Sequence, residues 1–172
     1  MNTKKLNFYI WLAGIIAVGV VVDMVSKVLT VGVNNVTVIP YVLSFQYTEN
    51  HGAAWGIFAG QMIFLIIITS LILAGFMFYI YKNKHKTKTF LASSALIIAG
   101  GMGNLIDRIF NPGYVRDFLR FDFLNYVWNP MFGKDFPICN VADLLLSAGI
   151  VVLFVYFIFQ LPKLEKKEKI NG

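Results

Sequence analysis

The sequence predicts an all-α membrane protein: four transmembrane helices, a small extracytoplasmic β-sheet, and an aromatic interfacial loop. Three observations carry this prediction. First, 58% of the residues are hydrophobic, 14% are charged and the mean hydropathy is +0.68, more apolar surface than one soluble core of this size hides. Second, the apolar residues gather into four runs of about 20, the length that crosses a bilayer. Third, ten of the 15 Lys and Arg residues fall in three short clusters flanking those runs: Lys4 and Lys5; Lys82, Lys84, Lys86 and Lys88; Lys163, Lys166, Lys167 and Lys169. That pattern orients helices in a membrane. The net charge of +6 therefore implies no nucleic-acid partner.

Helix 1 is expected over about 8–28. The run 8–22 has the look of a cleavable signal peptide, but no small-residue cleavage site follows it closely. The helical pattern continues through Asp23 and Lys27, so the segment reads as a retained span. Asp23 and Lys27 are four residues apart, share a helix face and can pair, as charges inside a bilayer must. The pair reads first as a structural clamp and second as a direct substrate contact.

Residues 31–60 change character. Gly32, Asn34, Asn35 and Pro40 break helix, while Leu43, Phe45 and Tyr47 alternate with Ser44, Gln46 and Thr48, which is strand periodicity. Exposed sheet edges cannot sit in lipid, so this sheet should rest at the membrane surface. It leads into Asn50-His51-Gly52-Ala53-Ala54-Trp55-Gly56, where Gly52 and Gly56 allow close backbone approach. That stretch is either a turn with a packing motif or a ligand-binding one.

Helix 2 is expected over about 62–81 and helix 3 over about 89–110. The end of helix 3, Gly100-Gly101-Met102-Gly103-Asn104-Leu105-Ile106-Asp107-Arg108, lets another helix come close and sets Asn104 and Arg108 on one face, with Asp107 nearby. Residues 111–140 read as an outer loop rich in Phe, Tyr and Trp, residues that favour the interface. On local sequence alone, Asp117 pairs with Arg116 or Arg120 on a solvated face, and Asp122 and Asp135 are solvated. Helix 4, about 141–161, opens with Asn140 and Asp143 on one turn, where free N–H groups favour a carboxylate. The basic tail, about 163–172, has no core-forming pattern and is expected to be disordered. The whole chain, 1–172, reads as one membrane-embedded domain.

With both termini and all three lysine clusters on the cytoplasmic side, Asn50, Asn104, Arg108, Asp117, Asn140 and Asp143 come to one level near the outer membrane surface. Helix capping alone would not need that company. Two carboxylates held close share one proton, the state in which one can take a proton from water while the other donates to a developing oxyanion. The ingredients of other hydrolytic routes are missing: no His-Glu-x-x-His, no Gly-x-Ser-x-Gly, no metal-ligand spacing around His51 and His85, and a lone Cys139 without a histidine. No metal or cofactor is expected. A transporter or proton relay is the alternative, since intramembrane Asp, Asn and Arg also mark ion pathways, but no internal repeat is evident and the polar residues gather at one side.

Taken in order, Asp23 with Lys27, Asn50-x-Gly-Ala-Ala-x-Gly, Gly100-Gly-x-Gly-Asn-x-x-Asp-Arg108, Val115-x-Asp-Phe118 and Asn140-x-Ala-Asp143 resemble the lipoprotein signal peptidases, or signal peptidase II. The resemblance runs from helix 1 to helix 4. It implies a bacterial membrane aspartic endopeptidase with Asp117 and Asp143 as its catalytic pair. Asn50, Asn104, Arg108 and Asn140 match positions that line or orient the site; Asp23, Lys27 and Gly52 match supporting ones. The substrates implied are diacylglyceryl-modified prolipoproteins, cut just before the lipidated cysteine. Membrane lipid and globomycin-type peptide inhibitors are the other implied partners, the expected location is the bacterial cytoplasmic (inner) membrane, and the expected assembly is a monomer.

Overall fold

A computed structural model describes residues 3–53, 57–111 and 113–171. Trp55 and Gly56 of the small-residue stretch, and Gly172 at the tail, lie outside the described residues. The elements, in chain order, are α1 (Thr3–Leu29), β1 (Val36–Ile39), β2 (Leu43–Asn50), α2 (Met62–Lys82), α3 (Lys88–Phe110), β3 (Val115–Phe121), α4 (Asp122–Phe132), α5 (Val141–Val155) and α6 (Leu161–Asn171), with one π-helical turn at Tyr156–Gln160 between the last two. Among the described residues, four helical stretches are long and apolar enough to cross a membrane: Leu6–Leu29, Met62–Lys82, Lys88–Phe110 and Val141–Ile170.

Among these spans α3 is the least apolar and the most buried, because it sits against α1, α2 and α5. Glycine makes the packing possible. A Cβ on Gly100 would run into the backbone carbonyl of Ala142 on α5, and one on Gly103 would lie 2.5 Å from Asp23 Oδ2 on α1. Small residues let backbones meet where lipid supplies no hydrophobic drive between helices.

At one end of the bundle, Phe8, Phe90, Ile80 and Tyr156 form a buried apolar cluster. Lys86 lies there over the Phe8 and Tyr9 rings, 5.4 and 5.6 Å from their centroids, and His85 approaches Glu168 of α6 at 3.8 Å. The N-terminal part of α1, the α2–α3 connection and α6 thus share this end. The tail expected to be disordered is helical over Leu161–Asn171. Pro162 lacks a backbone donor, and the π-helical turn just before it absorbs the mismatch so that the helix carries on. Leu164 then packs onto the apolar cluster.

The opposite end carries a three-stranded antiparallel sheet in the order β1-β2-β3. The third strand lies in the segment expected to be a loop. Val115 to Phe121 had no clean alternation to mark it, since Val115, Asp117, Phe118 and Leu119 are all buried. The connection onward is ordered as well: α4 ends on Gly133 in the left-handed region at φ 68°. The chain then folds back through Trp128, which meets Phe132 at 4.2 Å and Phe136 at 5.3 Å. Returning, the chain pairs Cys139 with Leu119 of β3. The 25 residues between Asp117 and Asp143 therefore leave and re-enter at the same place.

Candidate active site

Strand β3 and helix α5 build the centre. The Cys139–Leu119 bridge sets Asn140 beside Asp117, and Asn140 then caps α5 with a reciprocal pair of bonds. Its Oδ1 accepts from the Asp143 N–H at 2.9 Å, and its own N–H donates to Asp143 Oδ2 at 3.1 Å. This is a capping box with Asp in place of the usual Glu. The side-chain amide is left free to donate elsewhere. It gives Asp117 Oδ1 a bond of 2.6 Å and Asn104 Oδ1 one of 3.0 Å. One buried asparagine thus touches both carboxylates.

Asn104, near the end of α3, donates its amide to Asp143 Oδ1 at 2.7 Å. Asn50 does the same for Asp117 Oδ2 at 2.9 Å. The sheet register explains this reach: Thr48 is opposite Asp117 and Asn50 opposite Val115, so Asn50 and Asp117 are diagonal neighbours, within reach of an amide side chain. Each of the four carboxylate oxygens accepts an N–H. Asp117 is 2% exposed, and burial, followed by the charge of Asp143, pushes its carboxyl up to about 7, against the opposing bonds from Asn50 and Asn140. The solvated pairing expected from its neighbours is thus corrected: Arg116 turns to Asp107, and Arg120 to Asp122 and Asp135. Nor are those two acids simply solvated, because Ser44 donates to Asp122 and Asn129 to Asp135.

Behind the carboxylates lies a buried charged cluster. Lys27 and Asp23, both fully buried, pair at 2.8 Å, and Lys27 also reaches Asp107 at 3.3 Å and Asn104 Oδ1 at 3.1 Å. Asp23 Oδ1 accepts the N–H of Ala142 on α5 at 2.8 Å. Asp107 in turn binds the Arg116 guanidinium at 2.6 Å and its backbone N–H at 2.9 Å. Asp107 holds Arg116 firmly in its charged form. From the sequence, Asp107 is expected only near the face of Asn104 and Arg108, and Arg116 or Arg120 is the expected partner of Asp117. Asp107 lies one turn beyond Asn104, but no spacing rule reveals that its partners come from α1 and β3.

Arg108 donates to the carbonyls of Asn104 and Gly52, at 3.2 and 3.3 Å, and Gly52 donates its N–H to Asn50 Oδ1 at 3.0 Å. Gly52 so links the arginine to the amide that holds Asp117. A cavity of about 330 Å³ opens in front of these groups, bounded by Arg108, Asp117, Asp143 and, further down α5, Leu146 and Ser147. Cys139 also lines it, but burial, followed by the charges of Asp143 and Asp117, pushes its thiol up to about 12. At neutral pH that thiol is no nucleophile.

Four spans capped by a small sheet, with a buried polar centre and a cavity at the sheet end, define a multi-pass membrane protein with an enzyme-like site. Two solved bacterial membrane enzyme structures, determined by the in meso method, share the fold. One has a TM-score of 0.75 at 32% identity, covering 86% of this chain and 87% of the other. The second has a TM-score of 0.71 at 32% identity, covering 87% and 93%.

The family model for signal peptidase (SPase) II matches residues 15–159, and the chain belongs to that family. The chain is 41% identical to a lipoprotein signal peptidase of Clostridium tetani, over 84% of this chain and 90% of the relative. It is 39% identical to one of Lactococcus lactis subsp. cremoris, over 82% and 89%. These matches support a membrane peptidase and do not favour the transporter or proton-relay alternative.

Proposed function

We propose that this chain is an aspartic endopeptidase that removes the signal peptide from diacylglyceryl-modified bacterial prolipoproteins, cutting before the lipidated cysteine, with Asp117 and Asp143 as the catalytic pair. The observation that carries the reading is Asn140, which bonds both carboxylates at once, at 2.6 Å to Asp117 and 3.1 Å to Asp143, beside a cavity that reaches down a membrane-spanning helix.

Asp143 serves as the base: it sits in the first turn of α5, where the backbone dipole favours negative charge. Asp117 holds the shared proton, in keeping with a carboxyl pushed up to about 7. Asp143 takes a proton from water, the water attacks the scissile carbonyl, and Asp117 donates to the developing oxyanion. Asp143 then gives the proton it took to the leaving amine as the C–N bond breaks, and Asp117 recovers a proton from the collapsing gem-diol, so the new carboxylic acid forms and the pair returns to its starting state. Asn50, Asn104 and Asn140 hold the pair, and Arg108 orients the substrate.

The site faces the extracytoplasmic side of the cytoplasmic membrane, with both termini inside. Support comes from the lysines of the α2–α3 connection and α6, which lie at the end of the bundle opposite the sheet. A lipidated substrate comes in from the bilayer, a globomycin-type peptide would compete in the same cavity, and water reaches the pair from outside. The deciding experiment uses purified protein and a lipidated lipobox peptide. Asp117→Asn and Asp143→Asn each lower cleavage by about 10²–10⁴-fold, the usual worth of general acid–base groups, while the melting temperature stays within a few degrees. Full activity in either variant overturns the assignment.

A further inference from the structure

A second cavity, of about 410 Å³, lies against the other side of Asp117. The two cavities share Asn50, Asp117, Pro137 and Ile138 as a common wall. They differ in where their other walls come from. The first reaches Leu146 and Ser147 inside the last span. The second takes no residue from any of the four spans: besides Asp117, its walls are the end of β2, the turn at His51 and Gly52 with Ala59, and Lys134, Asp135, Pro137 and Ile138 after α4. One cavity thus opens at the level of the bilayer and the other above it.

The walls of the second cavity carry opposite charges in unequal states of pairing. Asp135 is occupied by Arg120 and Asn129. Glu49, about half exposed, has among the described residues the Tyr47 hydroxyl at 3.5 Å and the His51 ring at 4.0 Å as its side-chain partners. Lys134 has no ion-pair partner among the described residues. An anion and a cation are therefore available on the walls of a polar cleft that ends on Asp117.

A lipid-modified precursor has three parts. Its signal segment and its diacylglyceryl chains partition into hydrocarbon, and the polypeptide after the modified cysteine does not. A bond cut at Asp117 leaves substrate on both sides of that residue. Resting on the function proposed above, we infer that the second cavity is the subsite for the polypeptide immediately following the lipidated cysteine, and that Glu49 and Lys134 set its charge preference there.

The test uses the full chain and two lipidated peptides that differ only in the two residues after the cysteine, Asp-Asp in one and Lys-Lys in the other. The readout is the ratio of kcat/KM for the two within each variant, which is independent of the fraction of active enzyme. Glu49→Lys shifts the ratio toward the acidic peptide and Lys134→Glu toward the basic one, each by about three- to fivefold, the size of an exposed ion pair, and through KM. Ratios equal to that of the parent chain in both variants overturn the subsite while leaving the peptidase assignment standing. A parent chain that cuts neither peptide removes both.

Discussion

The ammonium of Lys27 lies 3.1 Å from Asn104 Oδ1, and on its other side Asn104 donates its amide to Asp143 at 2.7 Å. Because Lys27 and the Asn140 amide both donate to that oxygen, the Asn104 side chain has one orientation open to it. A lysine in α1 thereby fixes a donor on a carboxylate in α5. The Asp23–Lys27 pair is more than a clamp between two neighbouring turns.

Removing that cation leaves two buried carboxylates short of a partner. Lys27→Met is expected to cost about 3–5 kcal/mol of stability, as for a broken buried pair. Asp23→Asn with Lys27→Met restores part of the stability without restoring cleavage, since the Asn104 oxygen still lacks its donor. Thermal melts and peptide cleavage on the single and double variants check this; recovery of both together would reduce Lys27 to a counter-ion.

The acid-side proton predicts a pH profile. Asp117 has a folded value of about 7 against an ordinary 3.8, so the folded state binds this proton more tightly than the unfolded one. The resulting stabilisation is complete below pH 3.8 and is lost as pH rises through about 7. Cleavage should fall on the alkaline side through the same region, as the donor loses its proton. Asn50→Leu removes a bond that favours the ionised form, so the alkaline limb should move to higher pH. A limb that stays in place or moves down contradicts the assignment of the proton to Asp117.

Close approach of α3 and α5 sets the distance between Asn104 and Asp143. Gly100→Ala places a methyl group against the Ala142 carbonyl, and overpacking of this kind costs about 1–3 kcal/mol. Activity should fall more steeply than stability, because the helices that carry the two side chains are pushed apart. Gly75→Ala, where nothing lies within 4 Å of an added Cβ, is the matched control and should leave both unchanged. Melting temperature and kcat on the same preparations check the difference.

Orientation is open to a direct measurement. A reporter fused near Lys84 should score cytoplasmic, and a cysteine introduced at Lys134 should react with an impermeant reagent added outside intact cells. The opposite pattern would turn the cavities toward the wrong side for a secreted precursor.

The sequence by itself determined the solvent and the spans, because twenty-residue apolar runs and flanking lysines are local signals tied to the thickness of a bilayer. It also determined the reach of Asp23 to Lys27 and the capping pair Asn140 and Asp143, which depend only on helical spacing. Tertiary structure decided the rest. Asp117 read as solvated beside Arg116, yet β3 buries it and sends Arg116 to Asp107, a choice made by strand register across 67 residues from Asn50. The loop expected over 111–140 holds a strand and a helix because its buried face comes from the sheet it joins, and a two-sided buried strand shows no alternation. The tail is helical because Leu164 finds a surface that its own segment does not contain. Where a residue's partner lies within a turn or two, the chain states it; where the partner comes from another helix or strand, only the packed molecule supplies it.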